Sequence, residues 1–216
     1  MVHDFLGPVG SFFITSLISL FVILDPLGNI FPYMALTSGQ PEAAARKVAA
    51  RACFYSFGIL ALFSLIGRYI LELFGISLAA FQIAGGLILF RISFDMLHGR
   101  GHFNRLDTAS SLKAEEYGDI ALVPLAMPLL AGPGAITTAL VLASRALSMA
   151  QNLSILLATI IILISTYLCF VYAEQIRPLL KESGARLLTR IMALILTALA
   201  VQFIIQGLGS AFPQLV

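Results

Sequence analysis

Charge is what this chain has least of. Only 11% of its 216 residues are Asp, Glu, Lys or Arg, whereas a soluble domain carries about 25%. With 59% hydrophobic residues and a mean hydropathy of +0.97, this deficit excludes a soluble globular domain. Long polar stretches are missing too. The longest runs over 98–119, so no extramembrane domain is expected. The N-terminus, Met1-Val2-His3-Asp4, lacks the positive region of a secretory signal, and the first apolar segment is read as retained. Cysteine is scarce. Cys53 and Cys169 lie in apolar segments without a CxxC or ligand spacing, and read as buried small hydrophobes. The three histidines sit at a tail (His3) and in a loop (His98, His102). His98 and His102 are four apart but lack a third ligand at a convincing spacing, so no metal site is expected. No HExxH, GxSxG or phosphate-loop pattern occurs. The chain is therefore not read as an enzyme, and no cofactor is expected. A pI near 8.7 does not indicate nucleic acid, because the basic residues follow membrane topology.

What is present is apolar sequence in blocks long enough to cross a bilayer, which takes about 20 residues per helix. Six blocks run roughly over 10–36, 48–73, 76–97, 120–144, 153–173 and 189–210, the second and third joined tightly at Phe74-Gly75. Positive charge orients them. Arg46, Lys47 and Arg51 lie in the first connection, Arg100, Arg105 and Lys113 in the third, and Arg177, Lys181, Arg186 and Arg190 in the fifth. The second and fourth hold only Arg68 and Arg145, and neither tail has a Lys or Arg. Odd-numbered connections are thus expected in the cytoplasm and both termini outside. The mixed charges of 98–119 (Arg100, Arg105, Asp107, Lys113, Glu115, Glu116, Asp119) read as a solvated cytoplasmic link.

Two of the blocks contain helix breakers. The first holds Asp25-Pro26-Leu27-Gly28-Asn29 and the fourth Gly132-Pro133-Gly134, with Pro26 and Pro133 107 residues apart. Proline removes a donor and clashes with the preceding turn. In lipid the freed backbone groups have no water to turn to. An ionisable side chain such as Asp25 inside a span is by default a functional candidate. Three helices per half reverse the direction of entry, so related halves would form an inverted repeat. The expected fold is an all-α polytopic membrane protein of six helices in a 3+3 inverted repeat. Helices 1 and 4 would be broken at midplane. The first repeat covers 1–97, the linker 98–119 and the second repeat 120–216. Corresponding breaks in two halves point to a transporter's binding site. Two independent proline kinks are the alternative.

Each break exposes half-helix ends. An N-terminus offers unpaired N–H groups and partial positive charge, which suits a carboxylate. Unpaired carbonyls suit an ammonium. Candidate binding residues are Asp25, Pro26, Gly28, Asn29, Gly132, Pro133, Gly134, Ala135 and Thr137. Asp25 could meet an ammonium, carry a coupling proton, or only cap its own half-helix. Asn29 could face substrate or satisfy freed backbone. Thr137 and Thr138 could line the site or bond back to their own helix. Pro124 and Pro128 would make the half-helix before the second break irregular. Arg91 and Asp95, four apart, read as a local ion pair or a cytoplasmic gate. Gln82, Gln202 and Gln206 read as interhelical hydrogen-bonding residues, and Ala84-Gly85-Gly86 as a site of close helix packing.

The runs Phe21-Val22-Ile23-Leu24-Asp25-Pro26-Leu27-Gly28-Asn29-Ile30, ending in Pro32, and Pro128-Leu129-Leu130-Ala131-Gly132-Pro133-Gly134-Ala135-Ile136 resemble those of the MarC family of bacterial and archaeal inner-membrane proteins, which overlaps the small neutral amino acid transporter group. The likeness covers the whole chain. It departs at Phe31, which separates Ile30 from Pro32. The resemblance implies a carrier of small zwitterionic amino acids of the glycine and alanine class in a prokaryotic inner membrane. Coupling to a proton or Na+ and assembly into a homo-oligomer are compatible with it, and no nucleic acid partner is implied. The alternatives are a multidrug or other small-solute exporter, a membrane redox carrier, and a non-transporting scaffold.

Overall fold

The computed structural model describes residues 2–98 and 120–212. The expected linker 98–119, including His102 and the basic residues of the third connection, lies outside the described residues apart from His98. Every described regular element is a helix. Helix α1 covers Val2–Leu24 and α2 Ile30–Leu36, with the first break between them. Gly7 takes a positive φ of 64° ahead of Pro8, so the uninterrupted apolar part of α1 is Gly7–Leu24. Helix α3 covers Glu42–Leu73 and α4 Leu78–Leu97. Between them the chain turns at Gly75, whose φ of 65° only glycine adopts without cost. There Ile76 N–H donates to Leu71 O at 2.9 Å and Gly75 N–H to Glu72 O at 3.1 Å, closing the helix end. Ser77 then caps α4 by accepting from Ala80 N–H.

The second half opens irregularly. In Ala121–Leu130 the prolines 124 and 128 follow cis peptide bonds, and Val123 and Met127 are extended. Residues before proline are pushed out of the helical region. The segment winds widely instead, with Leu125 N–H on Ile120 O (3.3 Å) and Ala131 N–H on Ala126 O (2.8 Å). Helix α5, Pro133–Arg145, leaves it at 58°. Helix α6 covers Met149–Val171 and α7 Ala173–Ala211.

Five helices are long and apolar enough to cross a membrane, and six spans result when the bent pair counts as one. The apolar window of α7 starts at Arg190, close to the expected 189, but the helix itself begins at Ala173. Hydropathy sees only the apolar part, so the charged fifth connection is helix rather than loop.

Helix α5 packs among α1, α3 and α4, which brings the two breaks together. One apolar cluster joins α1, α2, α3, the 121–130 segment, α5 and α6 around Leu24, Ile30, Leu60, Leu130 and Ile155. In it the rings of Tyr33 and Phe170 stack at 4.4 Å. A smaller cluster joins α1, α4, α5 and α7 through Val22, Leu89, Val141, Leu196 and Ala200. Helices α4 and α7 run antiparallel in close, reciprocal contact. A Cβ on Gly86 would lie 2.7 Å from Ala200 O and 2.6 Å from Ile204 Cγ1. A Cβ on Gly207 would lie 2.8 Å from Ala79 O and 2.7 Å from Ile83 Cγ1. The two contacts interchange when 121 residues separate equivalent positions. Gly85 touches α5 instead, against the Thr137 methyl, so the close packing expected at residues 84–86 is present.

Candidate functional site

The first break satisfies much of its own backbone. Asp25 N–H donates to Phe21 O at 3.0 Å and ends α1. Asp25 then takes φ 41°, a left-handed conformation that aspartate tolerates better than most residues. This turns its side chain onto the following peptides, and Gly28 N–H donates to Asp25 Oδ1 at 3.1 Å. Asn29 N–H donates to Asp25 O (3.1 Å), and Asn29 Nδ2 donates to Leu24 O at 2.7 Å, replacing the helical donor that the break removes. Both side chains are buried, Asp25 at 6% exposure and Asn29 at 1%. Asn29 Oδ1 has no partner among the described residues. Asp25 thus holds the turn at Gly28 and not the first turn of α2, which has no side-chain cap, and Asn29 serves the freed backbone. Pro32, the third residue of α2, lies buried in its first turn, where its missing N–H costs no helical bond.

The second break is bare by contrast. Gly132 precedes α5 in an extended conformation and Pro133 occupies the first helical position, where its fixed φ suits the turn. Ile136 N–H donates to Gly132 O at 3.0 Å. The N–H groups of Gly134 and Ala135 fall in the first turn, which has no intrahelical acceptors, and no side chain caps it. Gly132 lies against the carbonyl of Pro128, and Gly134 fits between Leu89 of α4 and Ile23 of α1. A side chain at position 132 would strike that backbone carbonyl, whereas one at 134 would meet the ends of the Leu89 and Ile23 side chains.

Both breaks border one small cleft with about 40 Å³ of free space. The first break contributes Val22, Ile23 and Asp25, and the second contributes residues 128–130 and 132–135. Ile92 and Met96 of α4 and Leu196 of α7 complete the wall. Of the sequence candidates, Asp25, Gly132, Pro133, Gly134 and Ala135 therefore meet. Pro26, Gly28, Asn29 and Thr137 lie beside the cleft, not in its lining. Thr137 Oγ1 donates to Pro133 O (2.8 Å) and Thr138 Oγ1 to Gly134 O (2.9 Å), both within α5. Arg91 is exposed and Asp95 half-buried. They form no ion pair with each other; Arg46 pairs with Glu42 at 2.5 Å in α3. Ile92 and Met96, their neighbours in sequence, face the cleft instead. Cys53 and Cys169 are free thiols outside it.

Among the described residues Asp25, which lines the cleft, has no ion-pair partner. The uncapped, partly positive end of α5 lines the same cleft. An acid and a helix N-terminus around one small apolar space complement a molecule carrying an ammonium and a carboxylate close together. The apolar liners carried no signal in the sequence, because Ile92, Met96 and Leu196 look like any other residue of an apolar span. The spacing of 107 was the available clue. It pairs Val22 with Leu129, Ile23 with Leu130 and Asp25 with Gly132, and all six line the cleft.

Comparison with known proteins gives a consistent result. A family model described as "MarC family integral membrane protein" matches residues 10–212. A UPF0056 membrane protein of Methanocaldococcus jannaschii is 41% identical over 200 residues, covering 93% of this chain and 97% of its own. Another, of Archaeoglobus fulgidus, is 39% identical, covering 92% and 93%. The UPF0056 membrane protein YvbG of Bacillus subtilis is 33% identical, covering 95% and 98%. No solved structure matches.

Proposed function

The chain belongs to the MarC family of integral membrane proteins, and within that family we propose that it is a secondary transporter of small neutral amino acids of the glycine and alanine class. The observation that carries this reading is the pairing, in one cleft, of a carboxylate that lacks a counter-cation with an uncapped helix N-terminus. The substrate ammonium meets Asp25. Its carboxylate meets the N–H groups of Gly134 and Ala135, where an anion needs no side-chain partner. The glycines at 132 and 134 bring backbone, rather than side chains, up to the substrate. Ile92, Met96 and Leu196 exclude water and large side chains. A free space of about 40 Å³ holds little more than water. Substrate entry therefore requires the two breaks to separate, as in alternating access.

The expected orientation places the odd-numbered connections in the cytoplasm and both termini outside, in a prokaryotic inner membrane. Asp25 is also the candidate carrier of a coupling proton, being an ionisable group within the spans at the substrate site. The chain performs no chemistry on its substrate in this reading. A ligand-dependent thermal shift of the purified protein tests it. Glycine or alanine at about 100 times its Kd should stabilise the folded protein by about 2.7 kcal/mol. The Asp25→Asn variant should lose most of that gain. No stabilisation of wild type by any small neutral amino acid would sink the substrate class.

A further inference from the structure

The cleft is built symmetrically and occupied asymmetrically. Its three lining positions in the first break have counterparts 107 residues later in the second, and α3 and α6 also start 107 residues apart, at Glu42 and Met149. Helices α4 and α7 repeat the relation at a spacing of 121, because the second half has the longer connection into its last span. Applied one step further, the same spacing pairs Pro133, Gly134 and Ala135 with Pro26, Leu27 and Gly28. The first three line the cleft and the second three do not. The difference has a local cause. Asp25 accepts from Gly28 N–H, and its Oδ2 fills the space where a Gly28 side chain would stand. The first break is folded shut over its own carboxylate. The second has glycine at the equivalent position 132 and stays open.

We propose that this cleft is one of two alternating forms of a single site, and that in the other form Pro26, Leu27 and Gly28 line it where Pro133, Gly134 and Ala135 line it here. Asp25 is the switch between them. Its carboxylate holds the first break shut in the present form and releases Gly28 when the halves exchange roles. The inference deepens the transport reading and rests on it for its purpose, but its geometry concerns only the two breaks. An ammonium drawn to Asp25 from the cleft competes with Gly28 for the carboxylate. Binding therefore loosens the closed break, which links occupancy to the exchange without any further element.

Single cysteines test this in full-length protein of known orientation in vesicles, with Cys53→Ala and Cys169→Ala as background. Leu27→Cys and Ala135→Cys are labelled with a membrane-impermeant maleimide added to either face. The two sites should react from opposite faces. Adding Asp25→Gly, which makes the first break resemble the second, should raise the Leu27→Cys rate about tenfold and lower the Ala135→Cys rate, as expected for loss of one charge-assisted hydrogen bond from the present form. Gly28→Ala displaces the same carboxylate and should shift both rates in the same directions, which covers the case of an Asp25→Gly protein that does not fold. Labelling of both sites from one face would overturn the proposal, as would rates that rise or fall together. So would a Leu27→Cys that stays unreactive from both faces while Ala135→Cys reacts. Labelling needs no substrate. Reciprocal labelling without an amino-acid thermal shift would retire the substrate class and keep the switch, and the reverse pair of results would do the opposite.

Discussion

Replacing Gly28 by alanine is a sharp perturbation of the first break. The new Cβ would overlap Asp25 Oδ2 and lie 2.7 Å from Asp25 Cγ. The backbone at Gly28 does not require glycine, since its φ is not positive. The overlap is therefore relieved by moving the Asp25 side chain, not the chain path. That movement breaks the 3.1 Å bond from Gly28 N–H to Asp25 Oδ1. A hydrogen bond to a charged group contributes about 1.5–3 kcal/mol, and this one lies where neither partner finds water readily. Gly28→Ala should thus lower unfolding stability by about 1.5–3 kcal/mol, measured by denaturant or thermal unfolding in detergent. A double-mutant cycle isolates the cause. In an Asp25→Gly background the same alanine meets no carboxylate and should cost less than about 0.5 kcal/mol, as ordinary independent substitutions do. Equal losses in both backgrounds would refute the argument, because the damage would then come from something other than the Asp25 carboxylate.

Gly132→Ala should be worse tolerated than Gly28→Ala, since its Cβ would strike the Pro128 carbonyl, a backbone atom that cannot swing away; a loss above about 3 kcal/mol, or failure to fold, is expected in the same unfolding assay. Gly58→Ala is the matched control: nothing stands within 4 Å of that Cβ, and a gain of up to about 1 kcal/mol is expected from helix propensity. Thr137→Val should keep amino-acid uptake within about twofold, because the Thr137 hydroxyl already bonds Pro133 O in its own helix and losing a side-chain donor of this local kind costs little. Cys53→Ala with Cys169→Ala should leave uptake unchanged, whereas a thiol-based redox carrier would lose it.

The spans and both breaks were legible because they rest on single strong rules. Apolar length marks a span, and proline with glycine inside one marks a break. The irregular 121–130 segment followed from prolines spaced by four. The back-bonding of Thr137 and Thr138 was one of two readings that the sequence left open, and burial in a helix interior chose it. Other features were hidden for physical reasons. Arg91 and Asp95 have the spacing of a helical pair, yet spacing does not fix rotamers, and Arg91 points outward. The start of α7 at Ala173 was missed because the charged part of the helix ahead of its apolar window carries no hydropathy signal. Most of the cleft wall was hidden because packing, not composition, decides which face of an apolar helix turns inward. Asp25 shows the limit most clearly. Its presence was plain in the sequence, while its grip on Gly28 depended on a left-handed φ that only the folded turn reveals.

The most direct test of the account is counterflow of labelled glycine and alanine in proteoliposomes, with wild type and Asp25→Asn side by side. Wild type should take up both, and uptake should fall at least tenfold in the variant, since the neutral amide keeps the shape of the break and loses the attraction for an ammonium. Folded wild-type protein that exchanges neither amino acid would contradict it.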